Sequence, residues 1–126
     1  MWNNVDFGVL VGKTLSGVTR QGESIRFVVD EHESYIMHHD QDCCESVVID
    51  DICGYLGDLI GSPILQAEES SNRDHPKSEF GYPDESCTWT FYRIATIKGQ
   101  VVIRWYGASN GYYSEGVDFE KEAPHE

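Results

Sequence analysis

Cationic residues are the scarcest charged class in this sequence. The 126 residues include nine Lys and Arg against 22 Asp and Glu, which gives a formal net charge of -13. Binding to a nucleic-acid backbone depends on cationic side chains that displace counterions, so we expect no direct binding of that kind. Basic partners, and ligands held in a local positive pocket, are compatible with this charge.

Long apolar segments are also missing. No stretch reaches the roughly 20 apolar residues that span a membrane, and the start of the chain has no basic segment followed by an apolar run. Hydrophobic residues still make up 40% of the chain, which is enough for one core. We therefore expect one acidic domain over residues 1–126, cytoplasmic and not bound to a membrane, with a flexible acidic tail at 119–126.

Signatures of common enzymes are absent. The chain has no glycine-rich phosphate loop, no nucleophile elbow and no metalloprotease helix motif. Its four cysteines lack the spacing of a disulfide framework, and the adjacent Cys43 and Cys44 have difficulty bridging to each other, so we expect reduced thiols. We predict no cofactor and do not favour an enzyme.

The segment His38–Glu45 is the most chemically dense part of the chain. It holds two histidines, two cysteines and three carboxylates in eight consecutive residues. Thiolate plus imidazole suits zinc, but the ligand spacing is poor, so we predict no metal. The candidate metal ligands, if one binds, are His38, His39, Cys43 and Cys44. Carboxylates beside His39 also suit acid and base chemistry, which leaves a metal-dependent enzyme as the third hypothesis.

The apolar pattern predicts an α+β fold. We expect a mainly antiparallel sheet of about five to seven strands with one principal α-helix. Apolar residues recur at helical spacing from about Asp51 to Ile60, which predicts that helix, although Gly54 and Gly57 weaken it. The predicted strands are about Lys13–Thr19, Ser24–Asp30, Ser34–His38, Cys87–Ile97, Gln100–Gly107 and Tyr112–Phe119, with a short one at Ile64–Ala67.

The two strands around Lys98-Gly99 form the clearest predicted hairpin. With that turn Arg93 lies opposite Arg104, and the other side of the hairpin faces the core. The predicted core residues are Tyr92, Ile94, Val101, Ile103 and Trp105. Like charges directly opposite each other are destabilising unless an anion lies near them.

Two kinds of anion are available to this arginine pair. The first is a carboxylate of Asp40, Asp42 or Glu45, which makes the pair structural and is the reading we favour. The second is the phosphate of a ligand that stacks on the neighbouring aromatic rings. The residues predicted for such a ligand site are Phe91, Arg93, Arg104, Tyr106, Asn110 and Tyr112.

Acidic residues are concentrated in the first half of the chain. Residues 27–72 contain 11 carboxylates and no Lys or Arg, whereas ordinary protein surfaces mix both signs. The segment predicts either a solvated acidic face that aids solubility or a docking surface for a basic partner. The residues predicted for the docking surface are Asp30, Glu31, Glu33, Asp40, Asp42 and Glu45.

Several motifs resemble a family of small, largely uncharacterised proteins from bacteriophages and prophages. The resemblance covers about residues 10–119, and it assigns no catalytic residue. The motifs are His39–Val47, Ile60–Ile64, Trp89–Tyr92, Ile103–Gly107 and Ser109–Glu115.

The resemblance implies a phage protein that acts in the cytoplasm of a bacterial host. Small acidic accessory phage proteins often resemble antagonists of host defence. Our leading hypothesis is a non-enzymatic antagonist whose acidic surface mimics nucleic acid or blocks a basic site on a host protein. The alternative is a protein that binds and sequesters a small anionic ligand or signalling nucleotide in an arginine and aromatic pocket.

Overall fold

The protein is built almost entirely from antiparallel β-strands. The computed structural model describes residues 3–74, 86–109 and 114–122, in which the strands form one five-stranded and one four-stranded sheet. Within those ranges the only helices are two short 3-10 turns, Phe7–Leu10 and Leu56–Leu59. The predicted α+β class with one principal α-helix is therefore wrong.

The strands are numbered here in chain order. They are β1 (Asn3–Asn4), β2 (Gly17–Gln21), β3 (Ser24–Val28), β4 (Ser34–His38), β5 (Ser46–Cys53), β6 (Gln66–Asp74), β7 (Ser86–Thr96), β8 (Gly99–Ser109) and β9 (Asp118–Lys121). The five-stranded sheet has the order β1-β9-β4-β3-β2, and the four-stranded sheet has the order β5-β8-β7-β6. Neighbouring strands in both sheets are antiparallel.

The predicted helix from Asp51 to Ile60 is replaced by the end of β5 and a 3-10 turn. Pairing with β8 continues as far as Cys53, after a bulge between Ile49 and Asp51 that changes which side chains face inward. Gly54 then has a positive φ of 118°, and a Cβ there would lie 2.6 Å from the carbonyl oxygen of Gln100. Ladder hydrogen bonds to β8 thus prevail over a helical apolar pattern that two glycines already weaken.

The hairpin of β7 and β8 is confirmed, but its predicted register is wrong by two residues. Thr96 pairs with Gly99, so the turn residues are Ile97 and Lys98. The Thr96 hydroxyl donates to the carbonyl of Asp58 at 2.5 Å and accepts the Lys98 N–H at 3.1 Å, which anchors this turn to the second 3-10 helix. As a result Arg104 lies opposite Phe91, and not opposite another arginine.

The two sheets pack face to face on one hydrophobic core. The five core residues predicted for the hairpin are all fully buried, as expected from their alternation. Phe7 joins the sheets, because its ring lies 4.8 Å from that of Tyr92 and 5.1 Å from that of Phe119. The indole N–H of Trp105 also reaches across, to the sulfur of Met37 at 3.2 Å.

The end of the described chain belongs to the five-stranded sheet. Residues 119–122, which the sequence assigned to a flexible tail, form most of β9 and the position after it, and Phe119 is buried in the core. Residues 123–126 lie outside the described residues. No helix among the described residues is long and apolar enough to cross a membrane.

Candidate functional site

The segment that follows β4 folds around the buried carboxylate of Glu45. This carboxylate accepts the backbone N–H groups of Asp42 at 3.0 Å and Cys43 at 2.8 Å. It also accepts the side-chain amide of Gln41 at 3.1 Å and faces Nε2 of His39 at 3.0 Å. Glu45 therefore fixes the shape of the loop and is not available as a surface charge.

The hydrogen bonds to Glu45 keep its carboxylate ionised. Its removal from water acts to raise the pKa, but the N–H groups of Cys43 and Asp42, together with His39, lower the pKa to about 2. The second ring nitrogen of His39, Nδ1, lies 2.8 Å from the carbonyl oxygen of Gly116. The two ring nitrogens thus hold His39 between the Glu45 carboxylate and the backbone of Gly116.

Cys43 and Cys44 are joined in a vicinal disulfide on the exposed side of this loop. The expectation that these adjacent cysteines remain unbridged is therefore not met. Their sulfurs bond to each other, while His38 faces Glu120 and His39 faces Glu45. The candidate metal ligands named from the sequence are thus not brought together at one point.

The predicted acidic surface is divided into two groups at opposite ends of β4. Asp30 and Glu31 are exposed in the turn before this strand, whereas Asp40 and Asp42 are exposed after it. Five residues of strand separate the groups by roughly 17 Å. One surface patch therefore does not include both groups.

Glu33 belongs to the first group but is already neutralised. Its carboxylate contacts the Lys13 ammonium at 2.6 Å and accepts the hydroxyl of Tyr35 at 2.5 Å. The hydrogen bonds from Lys13 and then Tyr35 lower the pKa of Glu33. Burial, together with this carboxylate, raises the pKa of the Tyr35 hydroxyl.

A cavity of about 390 Å³ lies beside the second acidic group. Three aspartates line it, namely Asp40, Asp42 and Asp118, and the Glu45 loop forms part of its wall. Its lining contains no Lys or Arg among the described residues. Because the Glu45 network holds the loop in place, the backbone positions of the two loop aspartates are fixed.

The outer side of the five-stranded sheet carries a second set of ionisable residues, which we name the histidine–acid face: Arg26, His38, Asp40, Asp118, Glu120 and Glu122. The ring of His38 lies between two carboxylates, with Nδ1 3.5 Å from Asp40 and Nε2 3.4 Å from Glu120. Arg26 forms a two-point ion pair with Glu122, at 2.6 Å and 3.1 Å. These partners lie in or directly after β3, β4 and β9, which neighbour one another only in the folded sheet.

The outer side of the four-stranded sheet is chemically different. We name it the arginine–aromatic face: Trp89, Phe91, Arg93, Arg104 and Tyr106. The Trp89 and Tyr106 rings are 4.6 Å apart, and the guanidinium of Arg104 lies 5.3 Å from the centroid of the Trp89 ring. All five side chains are at least partly exposed to solvent.

The anion beside Arg104 is the carboxylate of Asp50. Its Oδ2 atom lies 2.7 Å from Nε and 2.5 Å from Nη2 of the arginine. The sequence predicted that this carboxylate comes from Asp40, Asp42 or Glu45, which is wrong: it comes from Asp50, at the bulge of β5. Two further residues of the predicted ligand site, Asn110 and Tyr112, lie outside the described residues.

A second cavity, of about 310 Å³, borders the arginine–aromatic face at Tyr106. Small side chains from β5, β7 and β8 line the rest of it, and Cys44 of the disulfide lies at its rim. A ligand on the aromatic rings therefore has room to extend toward the loop of Glu45.

Sequence reasoning missed a buried carboxylate below this second cavity. Glu115 accepts the hydroxyls of Ser86 at 2.6 Å and Thr88 at 2.8 Å, and a third hydroxyl from Ser109. The signal was Gly107 inside β8, because a glycine within a strand often marks a close backbone approach. A Cβ at that position would lie 2.5 Å from the carbonyl oxygen of Glu115.

Comparison with known proteins adds a family but no activity. Neither the curated proteins nor the solved structures include a match to this chain. One family model, described as a domain of unknown function (DUF7448), matches residues 9–119. Since that match covers most of the sequence, the chain belongs to the DUF7448 family.

Proposed function

We propose that the protein is a non-enzymatic binding protein that holds a nucleotide on the arginine–aromatic face. The observation that carries this proposal is the stacked group formed by Arg104, Trp89 and Tyr106. Rings exposed on a sheet surface stack with nucleobases, at about 1–3 kcal/mol per base. Guanidinium groups donate two parallel hydrogen bonds to a phosphate.

Arg93 supplies the charge for the phosphate. Arg104 shares its charge with Asp50, whereas Arg93 is exposed and forms no ion pair with any described residue. It lies on the same side of β7 as Phe91, two residues away. A phosphate at Arg93 and a base on Trp89 are thus on one continuous surface, despite the negative charge of the whole chain.

The geometry supports this ligand site better than the acidic docking surface, which our leading sequence hypothesis used. Of the acidic residues predicted for docking, Glu45 is buried and Glu33 is paired with Lys13. In the phage setting that the motif resemblance implies, a protein of this kind sequesters a signalling nucleotide of the host. The neighbouring cavity of about 310 Å³ is within the usual size of small-molecule sites.

The test is a calorimetric titration with nucleoside monophosphates, with nucleosides and inorganic phosphate as separate arms. We expect saturable binding of at least one nucleotide, and weaker binding of either half alone. The variant Arg93→Met should lower the affinity by about tenfold, which is 1.4 kcal/mol. The matched control is Arg20→Met, which removes an exposed arginine of β2 on the other sheet.

Two results would reject this function. One is that no nucleotide binds the wild-type protein, and the other is that Arg93→Met binds as tightly as wild type.

If a nucleotide binds, a metabolite extraction of protein purified from bacteria, followed by mass spectrometry, identifies it. If inorganic phosphate alone binds as tightly as the nucleotides, the aromatic rings have no part in recognition.

The acidic cavity favours a second candidate function. Its lining by Asp40, Asp42 and Asp118 suits a lysine or arginine side chain of a basic host-defence protein. Association with a partner recovered from bacterial lysate should then fall steeply with salt. Asp42→Lys should slow association, whereas Asp30→Lys, at the far end of β4, should have a smaller effect. Binding that ignores both salt and Asp42→Lys would exclude this candidate.

A further inference from the structure

The histidine–acid face has more negative charge than its cationic groups offset. Asp118, Glu120 and Glu122 alternate along the end of the chain, so their side chains share the outer side of the sheet. Glu122 is neutralised by Arg26. Asp118 lies opposite His38 in the strand register, and Glu120 also faces that histidine.

Glu120 is the more buried of the two carboxylates that have no arginine partner. Its side chain is only 10% exposed, and its one ion pair is with Nε2 of His38 at 3.4 Å. Within the described parts of the chain, the Glu120 carboxylate accepts no hydrogen bond. A carboxylate that is this little exposed and has no hydrogen-bond donor is stabilised by a bound cation.

The side chains around Glu120 are arranged as ligands of one ion. His38, Asp40 and Glu120 each offer an atom, and the three atoms lie within 4.8 Å of one another. Metal–ligand distances of about 2.0–2.2 Å for small divalent ions place pairs of ligand atoms up to about 4.4 Å apart. The observed spacing therefore needs only small side-chain movements to close on an ion, and Asp40, 80% exposed, is free to make them.

One of the three ligands, Asp40, lies at the cavity of about 390 Å³. Asp40 and Asp118 both line that cavity, so an ion can enter from solution. Water molecules from the cavity then fill the coordination positions that the protein leaves open.

We infer that His38, Asp40 and Glu120 form a binding site for one divalent first-row metal ion. One imidazole and two carboxylates suit Mn²⁺ or Zn²⁺ better than Mg²⁺, which prefers oxygen ligands alone. Of the donors suggested by the sequence, this site keeps only His38, because the thiols of Cys43 and Cys44 are bonded to each other and His39 contacts Glu45. It lies on the opposite sheet from the proposed nucleotide face and does not depend on it.

Mn²⁺ is the probe for this site, because it has little affinity for thiols and gives an electron paramagnetic resonance signal. We expect wild-type protein, titrated in buffer of physiological salt, to bind one Mn²⁺ per chain, with a tenfold excess of Mg²⁺ failing to displace it. The variants Glu120→Gln and Asp40→Asn should each lower the affinity by about tenfold or more. Asp40→Asn is included because its side chain is exposed, so a loss of Mn²⁺ binding in this variant is not explained by misfolding.

The control variant is Glu31→Gln, which removes one negative charge at the other end of β4. It should leave Mn²⁺ affinity unchanged. The inference is wrong if the wild type binds no Mn²⁺ at physiological salt, or if Glu31→Gln weakens binding as much as Asp40→Asn does. The second result would mean that Mn²⁺ is drawn only by the net charge of -13.

Discussion

The outer sides of the two sheets differ in how their charges are neutralised. On the arginine–aromatic face, the charge of Arg104 is met by Asp50 and by the ring of Trp89. On the histidine–acid face, Glu120 depends on His38 alone, at 3.4 Å. Arg104 is therefore held in position by neighbouring side chains and needs no ligand for this. A face with surplus charge of one sign is stabilised by an ion of the other sign.

Removal of Trp105 should have the largest effect, and it should damage both faces together. This side chain is fully buried beneath β8 and contacts Met37 of the opposite sheet. Trp105→Ala should lower the free energy of unfolding by about 3–5 kcal/mol, as measured by denaturant titration. The control Trp89→Ala, on the outer side of the four-stranded sheet, should cost less, and equal losses would contradict the division between core and face.

Removal of the Glu45 charge should affect only the loop beside the histidine–acid face. The pKa of Glu45 falls from near 4.5 to about 2 on folding. A carboxylate with a depressed pKa contributes stability above its unfolded pKa, and the contribution is lost as the pH falls. The wild type should therefore lose stability between about pH 4.5 and pH 2, a component that Glu45→Gln should lack.

Thermal melts of both proteins across this pH range measure the effect. Asp42→Asn is the matched control, because its side chain is exposed while its backbone N–H still donates to Glu45. Parallel pH profiles for wild type and Glu45→Gln would show that Glu45 is not responsible for the acid sensitivity.

Removal of Arg104 should have a smaller effect, confined to the arginine–aromatic face. The sequence placed Arg104 opposite Arg93. Without a carboxylate partner, two such arginines repel each other, and replacing one of them would stabilise the protein. In the structure it pairs with Asp50, and both side chains are partly exposed, so Arg104→Met should destabilise the protein by about 1 kcal/mol or less. A gain in stability would show that the arginine is held in place for a ligand. Unfolding titrations of Arg104→Met beside Arg20→Met make this measurement.

The smallest effect should come from Glu31→Gln, which belongs to neither face. Surface substitutions of this kind change the free energy of unfolding by no more than about 0.5 kcal/mol. The exposed position of Glu31 in the turn between β3 and β4 gives no reason for a larger effect. A clear loss of stability or of nucleotide binding in this variant would show that the two faces are coupled through long-range charge.

Local sequence pattern correctly predicted the elements that depend on neighbours in the chain. Alternation along β7 and β8 placed Tyr92, Ile103 and Trp105 on the core side, and the boundaries of β4 were as expected. A period of two is a property of the strand itself, so it survives an error of two residues in register. The same reasoning failed at Asp51–Ile60. The apolar residues there recur at helical spacing, but the start of the segment pairs with β8 as a strand.

The composition of the chain determined that it is acidic, that it can bury one core and that its cations are few. Only the tertiary structure decided which of those charges meet. Arg104 and Asp50 are 54 residues apart in the chain, and His38 and Glu120 come from strands that meet only in the five-stranded sheet. The burial of Glu45 could not be predicted from the sequence either, because it depends on the backbone N–H groups that its own loop turns inward. Periodicity is set by local backbone geometry, whereas ion pairs and buried carboxylates depend on distances that exist only after the sheets have packed.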